Sequence, residues 1–246
     1  MPNELAELGL DNDCARRLVD AIQVGDFKPG QRLSELAVAE RFEMGRAVVR
    51  AAFDQLAFVG ILDRRAKSGT YVRQFHVQTY LESEQIRATL EGMAGRLACS
   101  RITDAQLDAL ESLAKTLDQS TAGKTAEVFQ AENQFHGSIV EISRNQQLIG
   151  ILANQRLLRM CLFRSCQMSF LMSNHVSDDI VTHAQIVQAL RDRDAVLVER
   201  RMRRHVLLSR RYFLNYLSTH LSDLAEEIEF DPESLPTLLQ DLDDQF

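Results

Sequence analysis

The stretch AENQFHGSIV, residues 131 to 140, sets Glu132 and His136 four residues apart among Phe135, Ile139 and Val140, which have helical spacing. Side chains four apart stand one above the other on a helix. The pair is therefore either an ordinary surface contact or two arms of a ligand set. Further along, His183 shares a helix face with Ile186, Val187 and Leu190, and His205 shares one with Val198 and Met202. Both rings are thus expected to face a helical core. Imidazole nitrogens with a carboxylate suit zinc, nickel, manganese or iron(II). One histidine on an apolar face is more often a packing residue. Three on separate helices, with a carboxylate one turn from one of them, point to a shared ion. His76, His175 and His220 lack such company and read as loop or surface residues.

The elements that must carry these residues are helices. Proline occurs only at positions 2, 29, 232 and 236, so roughly two hundred residues lack that helix breaker. Apolar periodicity predicts helices over 77–100, 103–120, 125–143, 146–172, 178–191 and 195–221. Thr103 with Gln106 has the spacing of a capping box, and Asp194 is placed to cap the last helix. Asn145 and the DRD run at 192–194 mark breaks. These helices make a bundle domain over residues 76–229. An acidic tail, 230–246, with both late prolines, is expected to be poorly ordered.

Residues 1–75 read differently. Asn12 and Asp13 open a first helix with Leu18, Val19 and Ile22 inward, and the Gly/Pro turn VGDFKPG closes it. Ser34 is a candidate N-cap for SELAVAERF, and a third helix runs from about Gly45 to Phe58 until Gly60 stops it. The run ILDRR–AKSG–TYVRQF then forms two β-prone segments around a Ser-Gly turn. Three helices and a two-stranded wing, followed by an all-α bundle, give a mainly α fold with a winged helix-turn-helix at the front.

Charge bears on what this module touches. The net charge is −7, but residues 221–246 hold nine acids and no Lys or Arg. Without them 28 basic residues face 26 acidic ones. Residues 28–75 carry nine Lys or Arg against five acids, the local balance of a DNA-contacting module. In the helix-turn-helix reading, Arg46 lies in the first turn of the recognition helix and Arg50 one turn later on the same face. Arginine is well suited to guanine edges and phosphates. The alternative is that both are solvated surface arginines.

The stretch PGQRLSE, LAVAERFEMGRAVVRAAFDQLAFVGIL and DRRAKSGTYV resembles the DNA-binding domain of the GntR family of bacterial transcription regulators. Pro29, Gly30, Leu33, Glu35, Ala37, Arg46, Val49, Arg50, Leu56, Gly60, Gly69 and Val72 match the family pattern. Gly45 replaces its usual Ser, Val48 its Pro and Ala51 its Glu. Losing the Ser removes a side-chain N-cap, an effect of roughly 1 kcal/mol, and a hydroxyl suited to phosphate. The resemblance implies operator DNA contacts through Arg46 and Arg50, with the wing tip at Lys67 and Gly69 near the adjacent minor groove.

Residues 77 to about 221 are similar to the FCD effector domain of the FadR-like branch. Its E-x-x-R-x-x-x-E pattern is present as Glu84, Arg87 and Glu91, and its D-x-x-x-H as Glu132 and His136, with Glu where Asp is usual. Asn145 and Leu148, His183 with Ile186, Ala189 and Leu190, and finally Met202 and His205 follow. The resemblance implies a divalent metal held by Glu132, His136, His183 and His205, and a small carboxylate effector on its open positions. Arg87 is the expected second clamp on that acid, with Arg156 and Arg159 behind it, whereas Arg164 reads as a surface residue. It further implies a homodimer on a palindromic double-stranded operator. A metal-sensing regulator, a helical metal-dependent hydrolase, and a regulator whose histidines are packing residues with the effector bound unaided are the alternatives. Against the hydrolase stand the winged module and the lack of a general base beyond the ligands.

Cys14, Cys99, Cys161 and Cys166 form no C-x-x-C pair and fit reduced thiols. No apolar run approaches the ~18 residues of a membrane span, and the N-terminus has no signal-peptide core. The cytoplasm is the expected compartment.

Overall fold

The computed structural model describes residues 12–118, 125–165, 181–224, 228–229 and 237. Contacts divide the chain into two compact units. The first comprises the chain as far as Val77, with stretches beginning at Ala153 and at Leu224; the second begins at Gln78.

In the first unit, α1 (Asp13–Gln23), α2 (Glu35–Phe42) and α3 (Arg46–Phe58) precede strands β2 (Leu62–Arg65) and β3 (Gly69–Val72). Asn12 caps α1 through a 2.8 Å bond from the Cys14 amide, and Ser34 caps α2 by accepting from Ala37. Glu43 ends α2 in the left-handed region at φ 55°, a conformation glycine takes more easily. The helices pack through Leu18, Ile22, Phe42, Val49, Phe53 and Leu56, all buried with Leu62 and Val72 of the hairpin. Each such side chain stabilises the unit by roughly 1.5–3 kcal/mol.

The wing has three strands, not two. Strand β1 (Arg32–Leu33) pairs antiparallel with β3, so the order is β1-β3-β2, with Arg32 opposite Tyr71 and Leu62 opposite Val72. Buried Leu33 draws β1 onto the core, and the Gly30 amide bonds to the Val72 carbonyl at 2.9 Å. A short parallel pairing of β4 (Phe75–His76) with β5 (Ile228–Glu229) also belongs to this unit and was not expected.

The second unit is helical. Its elements are α4 (Val77–Ala98), which begins at the unit boundary, α5 (Asp104–Asp118), α6 (Thr125–Ile142), the first turns of α7 (Gln146–Ser165), α8 (His183–Arg191) and α9 (Ala195–Leu224). The capping box forms as read: the Thr103 amide donates to Gln106 Oε1 at 3.0 Å, and the Gln106 amide to Thr103 Oγ1 at 3.3 Å. Asp194 accepts from the Leu197 amide at 2.9 Å and starts α9. Thr182 caps α8, so that helix begins at 183 rather than 178 among the described residues. The stretch 166–180, where parts of two helices were expected, lies outside the described residues, as does the acidic tail apart from Thr237.

Leu107 and Leu110 of α5, Phe135 and Ile139 of α6, Ile186 and Leu190 of α8, and Val198 and Met202 of α9 form one buried cluster. Helix α4 approaches α9 across Gly95, where an added Cβ would lie 2.7 Å from Val198 Cγ1. That close approach helps set α9, and with it His205. Among the described residues no helix is long and apolar enough to cross a membrane.

Candidate metal centre and DNA-reading helix

Three helices of the second unit bring the four expected ligands together. Glu132 and His136 lie one turn apart on α6, His183 is the first residue of α8, and His205 is inside α9. Each offers one donor atom, and these atoms all lie within 4.8 Å of one another. The rings pack closely: the His183 and His205 centroids are 4.5 Å apart, and the Phe135 ring meets His183 edge-on at 4.9 Å.

Every histidine is held from behind through Nδ1. Glu91 Oε2 lies 2.6 Å from His136 Nδ1, Asp118 Oδ1 lies 2.7 Å from His183 Nδ1, and the Val181 carbonyl accepts from His205 Nδ1 at 2.8 Å. This is the arrangement that fixes tautomer and ring direction in metal-binding histidines. It leaves the Nε2 atoms facing one another's neighbourhood. Those of His136 and His183 are buried and make no hydrogen bond. Each sits 3.1 Å from a Glu132 oxygen, in an electrostatic contact rather than an aligned hydrogen bond. Buried nitrogens without an aligned hydrogen bond are costly, and a divalent cation is a partner that both could share with Glu132. The donor set therefore fits a metal ion.

The electrostatics agree. Burial disfavours charge on His136, but Glu91 and Glu132 outweigh it and raise its pKa. At His183 burial is likewise overcome by Glu132 and Asp118, which carry it to about 9. Burial, with the two neighbouring imidazoles, pushes His205 down to about 3. Glu132 is held well below the usual carboxylate range because His183 and His136 overcome its burial. These acids draw positive charge to the cluster, as a site for a cation must.

Asp118 is the functional residue that sequence reasoning missed. No local signal marked it, because the residue it serves lies 65 positions later in the chain. Its carboxylate also accepts from the main-chain amides of His183 at 3.2 Å and Ala184 at 3.0 Å. It therefore docks the start of α8 while orienting the ligand.

Arg87 is already engaged on its own helix. It is buried, its Nε donates to Glu91 Oε1 at 2.6 Å and one terminal nitrogen donates to Glu84 Oε2 at 2.8 Å. Burial works against its charge, but Glu84 and Glu91 hold it firmly protonated. The three-and-four spacing of E-x-x-R-x-x-x-E builds an internal ion-pair set along α4, so a clamp on an acid would have to form beside these two pairs. Arg156, on α7, lies in the stretch grouped with the first unit. The side chains of Arg159 and Arg164 lie outside the described residues.

In the first unit Arg46 opens α3 and is exposed, as is Arg50, whose Nε contacts Glu35 at 3.2 Å. At the wing, exposed Lys67 adopts φ 59° and Gly69 φ 119°. A Cβ on Gly69 would stand 2.9 Å from Arg32 Nε, at the movable end of that side chain, so it is the backbone that calls for glycine there. Gly45 caps α3 without a side-chain bond, and a Cβ on it would meet nothing within 4 Å. Glycine is itself a tolerated N-cap, so its cost against serine is a few tenths of a kcal/mol rather than the full unit expected. Gly45→Ser should raise the denaturation midpoint slightly. It should also tighten duplex binding about two- to tenfold, the worth of one added hydroxyl contact, as measured by fluorescence anisotropy.

Comparison with known proteins places this geometry. The family described as "Bacterial regulatory proteins, gntR family" matches residues 10–72, and the "FCD domain" matches residues 82–208. The Nta operon transcriptional regulator of Aminobacter aminovorans is 31% identical over 123 residues, covering 50% of this chain and 59% of that protein. The HTH-type transcriptional repressor RspR of Escherichia coli K12 is 31% identical over 185 residues, covering 72% and 77% respectively. The solved structure of E. coli McbR/YncC shares the fold, with a TM-score of 0.56 at 19% identity over 87% of this chain and 95% of that one.

Proposed function

Because this chain belongs to the GntR family of bacterial transcription regulators and carries the family's FCD domain, we propose that a metal-bound small organic acid controls its grip on DNA. On this reading a homodimer binds a palindromic operator, represses from it, and responds to the acid in the helical unit. The observation that carries the metal part is the convergence of two buried Nε2 atoms without an aligned hydrogen bond, each 3.1 Å from a Glu132 oxygen, with His205 beside them. Glu132, His136, His183 and His205 would hold the ion. Bound there, a divalent metal supplies a Lewis-acid position for a carboxylate.

The residues around the ion do the rest. Glu91, Asp118 and the Val181 carbonyl hold the imidazoles in their ligating orientation. Glu132 neutralises part of the ion's charge in a buried place. Arg87 is proposed for the acid's second contact, made with the donors that Glu84 and Glu91 leave over. Arg46 and Arg50 at the start of α3 are proposed to reach bases and phosphates in the major groove, with Lys67 and Gly69 at the adjacent minor groove. Two-fold symmetry of the dimer would set the half-site spacing. Acid binding changes DNA affinity only as far as it favours one arrangement of the dimer over another.

The test is operator binding with purified protein, varying salt, chelator and a panel of small carboxylates. Sequence-selective binding that weakens steeply with salt, and that an acid alters only without chelator, is the expected result. Metal alone altering operator affinity, with no acid having any effect, would favour the metal-sensing alternative. Absence of salt-sensitive, selective binding removes the regulator reading.

A further inference from the structure

We propose that Arg32 and Arg65 form a clip for one phosphate of the DNA backbone, on the outer face of the three-stranded wing. The inference rests on the DNA-binding reading above and adds a contact that neither α3 nor the wing tip supplies. Side chains alternate across a strand. Leu33, Leu62 and Val72 turn one face of the sheet onto the core, which leaves Arg32, Asp63, Arg65, Gly69 and Tyr71 on the other. There Arg32 stands opposite Tyr71, and Arg65 stands opposite Gly69. Each arginine reaches diagonally to the other's partner. Arg65 Cζ lies 4.3 Å from the centre of the Tyr71 ring, and Arg32 Nε lies 2.9 Å from where a Cβ on Gly69 would stand. The Tyr71 hydroxyl is 2.8 Å from Ser68 Oγ, which ties that ring to the turn. Gly69 and Tyr71 are two residues apart on one strand face, a span of about 7 Å. One anion between the two guanidiniums can therefore reach both.

Charge pairing sets these two arginines apart from their neighbours. Arg50 contacts Glu35, Arg64 pairs with Asp54 at 2.6 Å, and Arg73 donates to the Gly60 carbonyl at 3.2 Å. Arg32 and Arg65 are exposed, and among the described residues neither has a carboxylate partner. Asp63 shares their face and is paired with neither. Two like charges held side by side repel, and an anion between them turns that repulsion into two charge-assisted bonds. Stacking on Tyr71 occupies the flat face of the Arg65 guanidinium and leaves its donor edges open. Phosphate is the anion whose geometry a guanidinium fork matches, and phosphates line the edges of the groove that the wing approaches. A sheet face has no projecting element to enter that groove, so this contact positions the protein without reading sequence.

The test uses full-length protein and a duplex selected from random sequence by the wild type, with binding read by fluorescence anisotropy. Arg32→Gln and Arg65→Gln should each weaken binding about three- to tenfold, alike for the selected and an unrelated duplex. The double variant Arg32→Gln/Arg65→Gln should make the slope of log affinity against log salt shallower by about 0.9 per half-site, the worth of one phosphate. A change of about 1.8 per half-site would mean two separate phosphates and would overturn the clip. Uncharged methylphosphonates, placed one at a time along the duplex, locate the contact. Wild type should lose about tenfold at one position in each half-site, and the double variant less than about twofold at the same position. Both side chains are exposed, and circular dichroism with thermal unfolding checks that the variants keep the fold. Should the double variant not fold, the single variants decide, since each must blunt the loss at that one methylphosphonate. An unchanged salt slope in the double variant overturns the proposal, as does equal loss at that position in wild type and double variant. Wild-type protein without salt-sensitive duplex binding overturns this proposal and the regulator reading together, whereas the other failures leave the regulator reading standing.

Discussion

His183→Ala is expected to lower metal affinity by about 100-fold. Apparent binding free energies of roughly 10–16 kcal/mol for four-ligand zinc sites share out at about 3 kcal/mol per ligand, which is two orders of magnitude. The effect should be selective for metal because the fold has its own support at this point. Asp118 accepts from the main-chain amides of residues 183 and 184, and those bonds survive loss of the ring. Thr182 still caps α8 through the Gln185 amide. Metal analysis of wild type and variant after identical dialysis is the measurement, with thermal unfolding beside it. In the wild type the melting temperature should rise with added metal, as for any ligand of the native state; in the variant that rise should be lost. Equal metal content in the two proteins would remove His183 from the site.

Arg46→Ala should weaken operator binding by about 1–3 kcal/mol, or 5- to 150-fold. Arg46 is exposed at the first position of α3, the part of a recognition helix closest to base edges. Two signatures separate its possible partners. Loss of a bidentate base contact relaxes preference at one operator position and leaves the salt dependence nearly unchanged. Loss of a phosphate contact weakens all sequences alike and lowers the salt slope by about one. Arg50→Ala should cost less, because its guanidinium already contacts Glu35 and must give up that contact to reach DNA. Binding unaltered by Arg46→Ala would exclude α3 as the reading helix.

Local signals accounted for much of the architecture. The capping residues Asn12, Ser34, Thr103 with Gln106, and Asp194 all act within four residues of their own position, so their partners are visible in one dimension. The third wing strand was not visible, because two residues carry too little pattern to announce pairing with a segment nearly forty positions away. The same distance rule divides the candidate site. The four ligands could be named from type, face and family pattern. Asp118 could not, because its role depends on His183, 65 residues later, meeting the end of α5.

Arg87 shows the difference most plainly. Its spacing from Glu84 and Glu91 was on the page from the start, yet the residue was read as reaching outward to an acid. Helix geometry alone would have satisfied it inward, three residues back and four ahead. Its burial beside both carboxylates could not be read from the spacing, because burial belongs to packing.

What this chain's sequence determined by itself is a front module with exposed arginines on its third helix, a helical effector unit, and three histidines with a carboxylate on apolar faces. Those are properties of residue type and period, set by local sterics and the hydrophobic effect. Tertiary structure decided which nitrogen of each ring faces its neighbours, which carboxylates stand behind the rings, and which arginine is already engaged. Such facts depend on the approach of α4, α5, α6, α8 and α9 to within hydrogen-bonding distance, and no single helix carries them.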